Sequence, residues 1–289
     1  MSAVRHAIIT GGSSGIGLAL ARRLVARSYN VSLIARGNDR LVTSAAELSH
    51  LTVRPDQVID IHCADVSNRG QEEDAVARAL SRLGAPDLLI TSAGVAVPRY
   101  FGETPIAEFE QAMAVNYFGT LYLVRSVLPA MRAREAGRIV LISSGAALMG
   151  IFGYGSYGPS KFAVRGLAET MRAELKNMKL GVSVVYPPDT ETPMLDAENI
   201  TKPEETKLIT GLAKTWTADA VASCIIRGID RGKFSITPGV TIGLMHRFPG
   251  IIIPLLRWYA DRLVAGANQN RVKAEVGGRN GIGSPSAVN

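Results

Sequence analysis

Seven short runs of branched apolar residues recur along this chain, most of them followed by a stretch long enough for a helix. They cover residues 6–10 (HAIIT), 30–35 (NVSLIA), 57–63 (QVIDIHC), 86–92 (PDLLITS), 137–143 (GRIVLIS), 181–187 (GVSVVYP) and 233–237 (KFSIT). Helices are expected near residues 15–28, 39–51, 69–83, 105–134, 158–178 and 218–231. Strands that are apolar on both faces need cover on both faces, and strands joined through helices run parallel. The expected fold class is therefore α/β, a doubly wound parallel sheet whose ligands gather at the carboxyl ends of the strands. With 289 residues, 47% of them hydrophobic, the chain suits one large core better than two. A domain over residues 1–240 is expected, then an apolar and basic segment over 241–276, then a small, polar, disordered tail over 277–289.

The first run leads directly into TGGSSGIG, residues 10–17. Gly11, Gly15 and Gly17 let backbone approach a pyrophosphate and open a helix whose first amides attract the anion. Ser13 and Ser14 add hydroxyl donors, and Ile16 belongs to the same turn. A plain tight turn is the alternative, but the position between a first strand and a first helix favours a dinucleotide and a Rossmann-type sheet. A site for NAD usually places an acidic residue at the end of the second strand, against the ribose 2′-hydroxyl. Here that end reads Ala35-Arg36, with Arg40 four residues on. A guanidinium there suits a 2′-phosphate, so NADP(H) is the expected cofactor, although either arginine could be solvated surface.

The stretch SYGPSKFA, residues 156–163, sets Tyr157 and Lys161 one helical turn apart. Ser144 closes the fifth run thirteen residues upstream, and Asn116 lies in a helical stretch. A free phenol titrates near ~10, and a neighbouring ammonium lowers that value, which would ready a tyrosine to give up a proton. Glycine loop, asparagine, serine and Tyr-x-x-x-Lys together, in this order over residues 5–240, resemble the short-chain dehydrogenase/reductase family. The resemblance implies an oxidoreductase in which Tyr157 is the general acid, Ser144 polarises the carbonyl and Asn116 holds a water of the proton relay. Lys161 would tune the tyrosine and hold the nicotinamide ribose, with Ser143 as the fallback for the serine role. It also assigns cofactor contacts to Asp65 and Val66 after the third run, to Ala93 and Gly94 after the fourth, and to Pro187 and Thr192 after the sixth. The family's usual Asn-Asn-Ala-Gly appears here as TSAG, with Thr91 and Ser92 in place of both asparagines.

The segment YPPDTETPMLDAENITKPEET, residues 186–206, resembles that of a branch of the family that reduces the 3-keto group of a long-chain amino ketone in sphingolipid base synthesis. Alternatives are reduction of a 3-oxoacyl thioester, steroid or retinoid, or a non-catalytic NADP(H)-binding protein at a membrane. Residues 193–212 are expected to form a mobile loop acting as a lid over the lipid chain.

The net charge is +7, and residues 240–289 carry six Arg or Lys against two Asp or Glu. Without a dense basic run or interleaved aromatics, nucleic acid is not expected as a partner, while an anionic lipid surface is. The longest apolar run, FPGIIIPLL at 248–256, is far short of the ~20 residues that span a bilayer. Pro249 and Pro254 should break it further, while Trp258 and Tyr259 suit a headgroup boundary. A monotopic attachment near residues 245–265 is expected, on the cytoplasmic face of a membrane, and a homo-oligomer. The first residues leave no room for a signal-peptide core, Cys63 and Cys224 read as buried free thiols, and the four histidines show no metal-ligand spacing.

Overall fold

The computed structural model describes residues 4–211 and 214–279, with side chains through residue 267. Strands β1 (Arg5–Thr10), β2 (Tyr29–Ala35), β3 (Ile59–Cys63), β4 (Leu88–Thr91), β5 (Gly137–Ile142) and β6 (Leu180–Val185) alternate with helices α1 (Gly15–Val25), α2 (Asn38–Ser49), α3 (Arg69–Leu83), α4 (Ile106–Ala112), α5 (Gly119–Arg134) and α6 (Tyr157–Glu174). Beyond them come β7 (Thr190–Glu191), α7 (Pro193–Thr201), α8 (Glu204–Thr210), β8 (Trp216–Thr217), α9 (Ala218–Asp230), β9 (Ser235–Ile236), α10 (Val240–Arg247) and α11 (Pro249–Arg279). Seven strands form one parallel sheet in the order β3-β2-β1-β4-β5-β6-β9, and β7 pairs with β8 apart from it.

Alternation along each strand divides the core. Ile8 and Leu89 pack on one face, towards α3, α5 and α6, while Ile9 and Ile90 pack on the other, towards α1 and α9. All four are fully buried, each contributing roughly 1.5–3 kcal/mol of apolar transfer. The chain leaves β1 towards β2 on one side and leaves β4 towards β5 on the other. Reversal at that point opens a crevice above the carboxyl ends of β1 and β4, and a cleft lies there.

Several local expectations differ from the fold. The long helix over 105–134 is interrupted by a π turn over Met113–Phe118, which contains Asn116; such widened turns recur at functional sites. Residues 193–210 form the helix pair α7 and α8 rather than a loop, and Leu212 lies outside the described residues. Pro254 does not break α11, because it sits in the second turn, where its missing amide leaves only the exposed Gly250 carbonyl without a helical donor. That helix runs to Arg279, three residues into the expected tail, and residues 280–289 lie outside the described ones. Cys63 is exposed and Cys224 half-buried, so neither is a core thiol; Cys63 ends the edge strand β3, where the chain leaves the sheet.

Candidate active site

A cleft of about 450 Å³ runs from Arg36 and Arg40 at one end to Met245 and Leu256 at the other. Its first wall is backbone brought close. The loop after β1 turns at Gly11 with φ +64°, and a Cβ there would sit 2.9 Å from the Ala93 amide nitrogen. At Gly17 a Cβ would meet the Gly11 carbonyl oxygen at 2.3 Å. No larger residue fits either position, so the turn is built for close passage of a phosphate over the first amides of α1. Ser13, Ser14, Gly15 and Ile16 line this part of the cleft, with Asp65, Val66, Ala93 and Gly94 facing them. Thr91 and Ser92 do not supply the side-chain support expected of asparagines. Thr91 turns its hydroxyl inwards without a partner among the described residues, and Thr10 Oγ1 instead accepts from the Ser92 and Ala93 amides at 3.1 and 3.2 Å.

At the end of β2, Arg36 and Arg40 are exposed and both border the cleft. Asp39, between them in the first turn of α2, does not. Two guanidiniums and no carboxylate therefore face this end of the cleft, apart from Asp65, whose Oδ1 accepts from the Ser67 amide and hydroxyl at 2.9 and 2.7 Å.

Where the cleft turns under α7, the fold gathers Ser144, Tyr157 and Lys161. Ser144 follows β5 and accepts from the Ala146 amide at 3.1 Å, which leaves its own proton free to donate. The same hydroxyl lies beside the Tyr157 phenol and favours its ionised form. Tyr157 begins α6, which places Pro159 in the first turn, where no intrahelical donor is needed. Lys161 is 5% exposed; its Nζ donates to the Ile142 carbonyl at 3.1 Å and lies 5.7 Å from the centre of the Tyr157 ring. Burial pushes this ammonium down to about 8.

The expected lowering of the tyrosine is not what the site does. Burial raises the Tyr157 phenol above its ordinary value, the carboxylates of Glu198 and Asp189 raise it further, and only Ser144 opposes them. The physical reason is that desolvation penalises phenolate more than any cation offsets here. The outcome suits an acid: Tyr157 stays protonated across neutral pH, and an alkoxide is basic enough to take its proton.

Asn116 is fully buried and its amide is wholly engaged. Nδ2 donates to the Val95 carbonyl and to Ser160 Oγ, both at 2.9 Å, and Oδ1 accepts from the Val95 amide at 2.8 Å. It thereby ties the segment after β4 to the first turn of α6. Ser143 donates to the Lys161 carbonyl at 2.8 Å and does not face Tyr157 as Ser144 does. Thr192 caps α7, accepting from the Leu195 amide at 3.3 Å, and Pro187 accepts from the Gly145 amide at 2.9 Å.

The second wall was not foreseen. Ile242 and Met245 of α10, with Leu256 and Ala260 of α11, line the cleft beyond Tyr157. Ile242 comes so near that a Cβ on Gly145 would meet its Cδ1 at 2.7 Å. Tyr154 and Glu198 also face inward, joined by a 2.6 Å hydrogen bond from the phenol to the carboxylate. A tyrosine three residues before Tyr157 was visible in the sequence, but nothing local paired it with a carboxylate forty-four residues away.

Glycine cradle, parallel sheet and the Ser144–Tyr157–Lys161 cluster define a nicotinamide-dependent oxidoreductase, and residues 5–203 match the short chain dehydrogenase family. The chain belongs to that family. It is 38% identical over 235 residues to the 3-ketodihydrosphingosine reductase of Mus musculus, covering 81% of this chain and 71% of the relative. To the 3-ketodihydrosphingosine reductase of Dictyostelium discoideum it is 37% identical over 281 residues, 88% of this chain and 84% of the relative. Among solved structures, levodione reductase superimposes with a TM-score of 0.75 at 25% identity, covering 82% of this chain and 96% of that one. A short chain dehydrogenase/reductase from Burkholderia phymatum in complex with NAD superimposes with a TM-score of 0.74 at 25% identity, covering 85% and 94%.

Proposed function

We propose that this protein reduces the 3-keto group of 3-ketodihydrosphingosine, a long-chain 2-amino ketone, to the secondary alcohol with NADPH. The reading is carried by one observation: the Ser144–Tyr157–Lys161 cluster opens onto an apolar wall formed by α8, α10 and α11. Ile209, Ile242, Met245 and Leu256 offer an aliphatic chain a surface, and the glycine cradle lies on the other side of the cluster.

The cradle of Gly11, Gly15 and Gly17 fits a dinucleotide, with Arg36 and Arg40 at the 2′-phosphate, Asp65 and Val66 at the base, and Lys161 at the nicotinamide ribose. A reduced nicotinamide supplies the hydride for the carbonyl carbon. Ser144 holds the carbonyl oxygen by donating its free proton. Tyr157 delivers its proton to that oxygen as negative charge develops, which balances the reduction as one hydride and one proton added across the C=O bond. Asn116, its amide engaged by Val95 and Ser160, ties the π turn to the first turn of α6 and so helps to position Tyr157.

The same reading places the protein on an anionic membrane surface. No helix among the described residues is long and apolar enough to cross a membrane. Along α10 and α11, however, Leu244, Phe248, Ile251, Leu255, Trp258 and Tyr259 are exposed, while Ile252, Ile253 and Leu256 pack inward. One face of α11 thus lines the cleft while another offers apolar area to lipid, and a chain drawn from the bilayer has a short path to Tyr157.

Turnover tests the substrate. Purified protein with NADPH is to be given 3-ketodihydrosphingosine, a 3-oxoacyl thioester and a steroid ketone in parallel. A kcat/KM highest for the first supports the reading, and preference for either of the others overturns it.

A further inference from the structure

Glu198 is a buried carboxylate whose charge helps keep Tyr157 protonated but which touches no reacting atom in the reduction proposed above. It lies on α7 with 7% exposure, borders the cleft, and faces the cluster that handles the ketone. Its Oε2 accepts from the Tyr154 hydroxyl at 2.6 Å, and the Tyr154 ring packs against that of Tyr157, centres 5.3 Å apart and planes tilted by 47°. Its Oε1 accepts no hydrogen bond from any described residue. The neighbouring carboxylate, Asp189, already has Lys202 Nζ at 3.5 Å and is more open to solvent. Burial raises the Glu198 carboxyl, and the Tyr154 hydrogen bond and the Lys202 charge only partly offset this. A carboxylate held in such surroundings gains most from a cation that brings its own hydrogen-bond donors.

We propose that Glu198 binds the ammonium group of the substrate and so selects a 2-amino ketone over a plain long-chain ketone. This rests on the substrate class proposed above. In a 2-amino ketone the nitrogen sits on the carbon next to the carbonyl, so the groups that read the nitrogen and the oxygen must themselves be neighbours. Tyr157 and Ser144 read the oxygen; Glu198, one tyrosine ring away, is placed to read the nitrogen. Tyr154 acts as a positioning residue, fixing Oε2 so that Oε1 turns to the cleft.

The test measures kcat/KM with NADPH for 3-ketodihydrosphingosine and for 1-hydroxyoctadecan-3-one, the same chain without the amine. Charge-assisted recognition predicts that the wild type favours the amine by roughly ten- to a hundredfold. Glu198→Gln is expected to bring the two substrates within about threefold, through a higher KM for the amine; any effect transmitted through Tyr157 falls on both ketones alike and cancels in their ratio. Glu198→Asp, which keeps the charge, is expected to restore part of the preference. Dihydrosphingosine binding, read by protein fluorescence, is expected to weaken in Glu198→Gln by a similar factor even if that variant turns over nothing, and unchanged binding overturns the assignment. If the wild type reduces both ketones equally, or Glu198→Gln keeps the full preference, the long-chain ketone reading survives and the ammonium site falls. If the wild type reduces neither and prefers another ketone, the substrate reading falls and takes this site with it.

Discussion

Along the wall proposed for the nucleotide, Gly11, Gly15 and Gly94 bring backbone to the cleft, and the chain there is consecutive with β1 and β4. Along the wall proposed for the substrate, Glu198, Ile242, Met245 and Leu256 bring side chains from three helices, α7, α10 and α11, that all follow β6. The first wall is fixed by local turn geometry, so few residue types are tolerated and the spacing is set. The second is fixed by packing between helices, which many sequences satisfy. On the proposed reading the cofactor is held by turn geometry and the substrate by packed side chains, with Tyr157 between the two.

The largest effect should come at that junction. Tyr157→Phe keeps the ring against Tyr154 and removes only the proton donor. General acid catalysis contributes typically ~10²–10⁴-fold, so kcat should fall by that order while NADPH binding, followed by fluorescence, stays near normal. Near wild-type turnover in this variant would separate the two walls from any shared chemistry.

The outer face of the substrate wall is next. Ile251, Leu255 and Trp258 are 64%, 59% and 54% exposed, so replacing all three by Ser costs the fold little. Each loses roughly 1 kcal/mol or more of transfer into lipid, about a hundredfold in vesicle partitioning for the three together. Flotation with anionic liposomes checks this: wild type floats, less so at high salt, and the triple variant stays in solution with its cofactor bound. Ile252 is left out because it packs against the core. Wild type that never floats would make α11 purely a wall of the cleft.

On the nucleotide wall the expected change is smaller. Arg36→Ala removes one charge-assisted contact to a 2′-phosphate, worth roughly 1.5–3 kcal/mol, and should raise the KM for NADPH about ten- to a hundredfold. The KM for NADH should hardly move. A variant that keeps its preference for NADPH would assign that preference to Arg40 or to the α2 amides instead.

These two walls were unequally legible in the sequence. The seven apolar runs found the seven strands of the sheet, because strands buried on both faces leave continuous apolar sequence. Residues 69–83 are helical as read, and TGGSSGIG is the turn it was expected to be. The cluster of Ser144, Tyr157 and Lys161 was readable because its members hold fixed positions at the end of β5 and the start of α6. The pairing of Tyr154 with Glu198 was not, since it depends on how α7 folds back over the cleft. Residues 193–210 read as a loop because their apolar residues show no helical period; their helices are held by buried polar links, such as Thr206 Oγ1 to the Phe152 carbonyl at 2.8 Å. The tyrosine's upward shift is not legible either, because a Tyr-x-x-x-Lys spacing reports proximity of a charge and says nothing of desolvation.

Desolvation also yields the smallest effect and joins the walls to stability. Burial lowers Lys161 from 10.5 to about 8 and, among the described residues, leaves its ammonium one hydrogen bond, to the Ile142 carbonyl. At neutral pH the folded protein therefore carries a charge it holds less well than the unfolded chain does, by about 3 kcal/mol at ~1.4 kcal/mol per pKa unit. Lys161→Met removes that charge and keeps much of the volume, but it leaves the Ile142 carbonyl without its donor, a loss of about 1–2 kcal/mol. The net expectation is a gain of about 1–2 kcal/mol at neutral pH, a few degrees in Tm for a chain of this size, together with loss of turnover. The sign with pH follows from the lowered lysine: between pH ~8 and ~10.5 the unfolded chain binds the proton that the folded one has released, so wild-type stability rises with pH relative to the variant. Calorimetry of both proteins near pH ~7 and ~10 checks it, since other titrating groups largely cancel in the difference. A variant less stable than wild type at pH ~7, or a gap in Tm that does not move towards the wild type at pH ~10, would mean that Lys161 is well solvated in the folded protein. In that case the site would hold Tyr157 protonated by its carboxylate neighbours and not by burial, and the two walls would differ in charge more than in water.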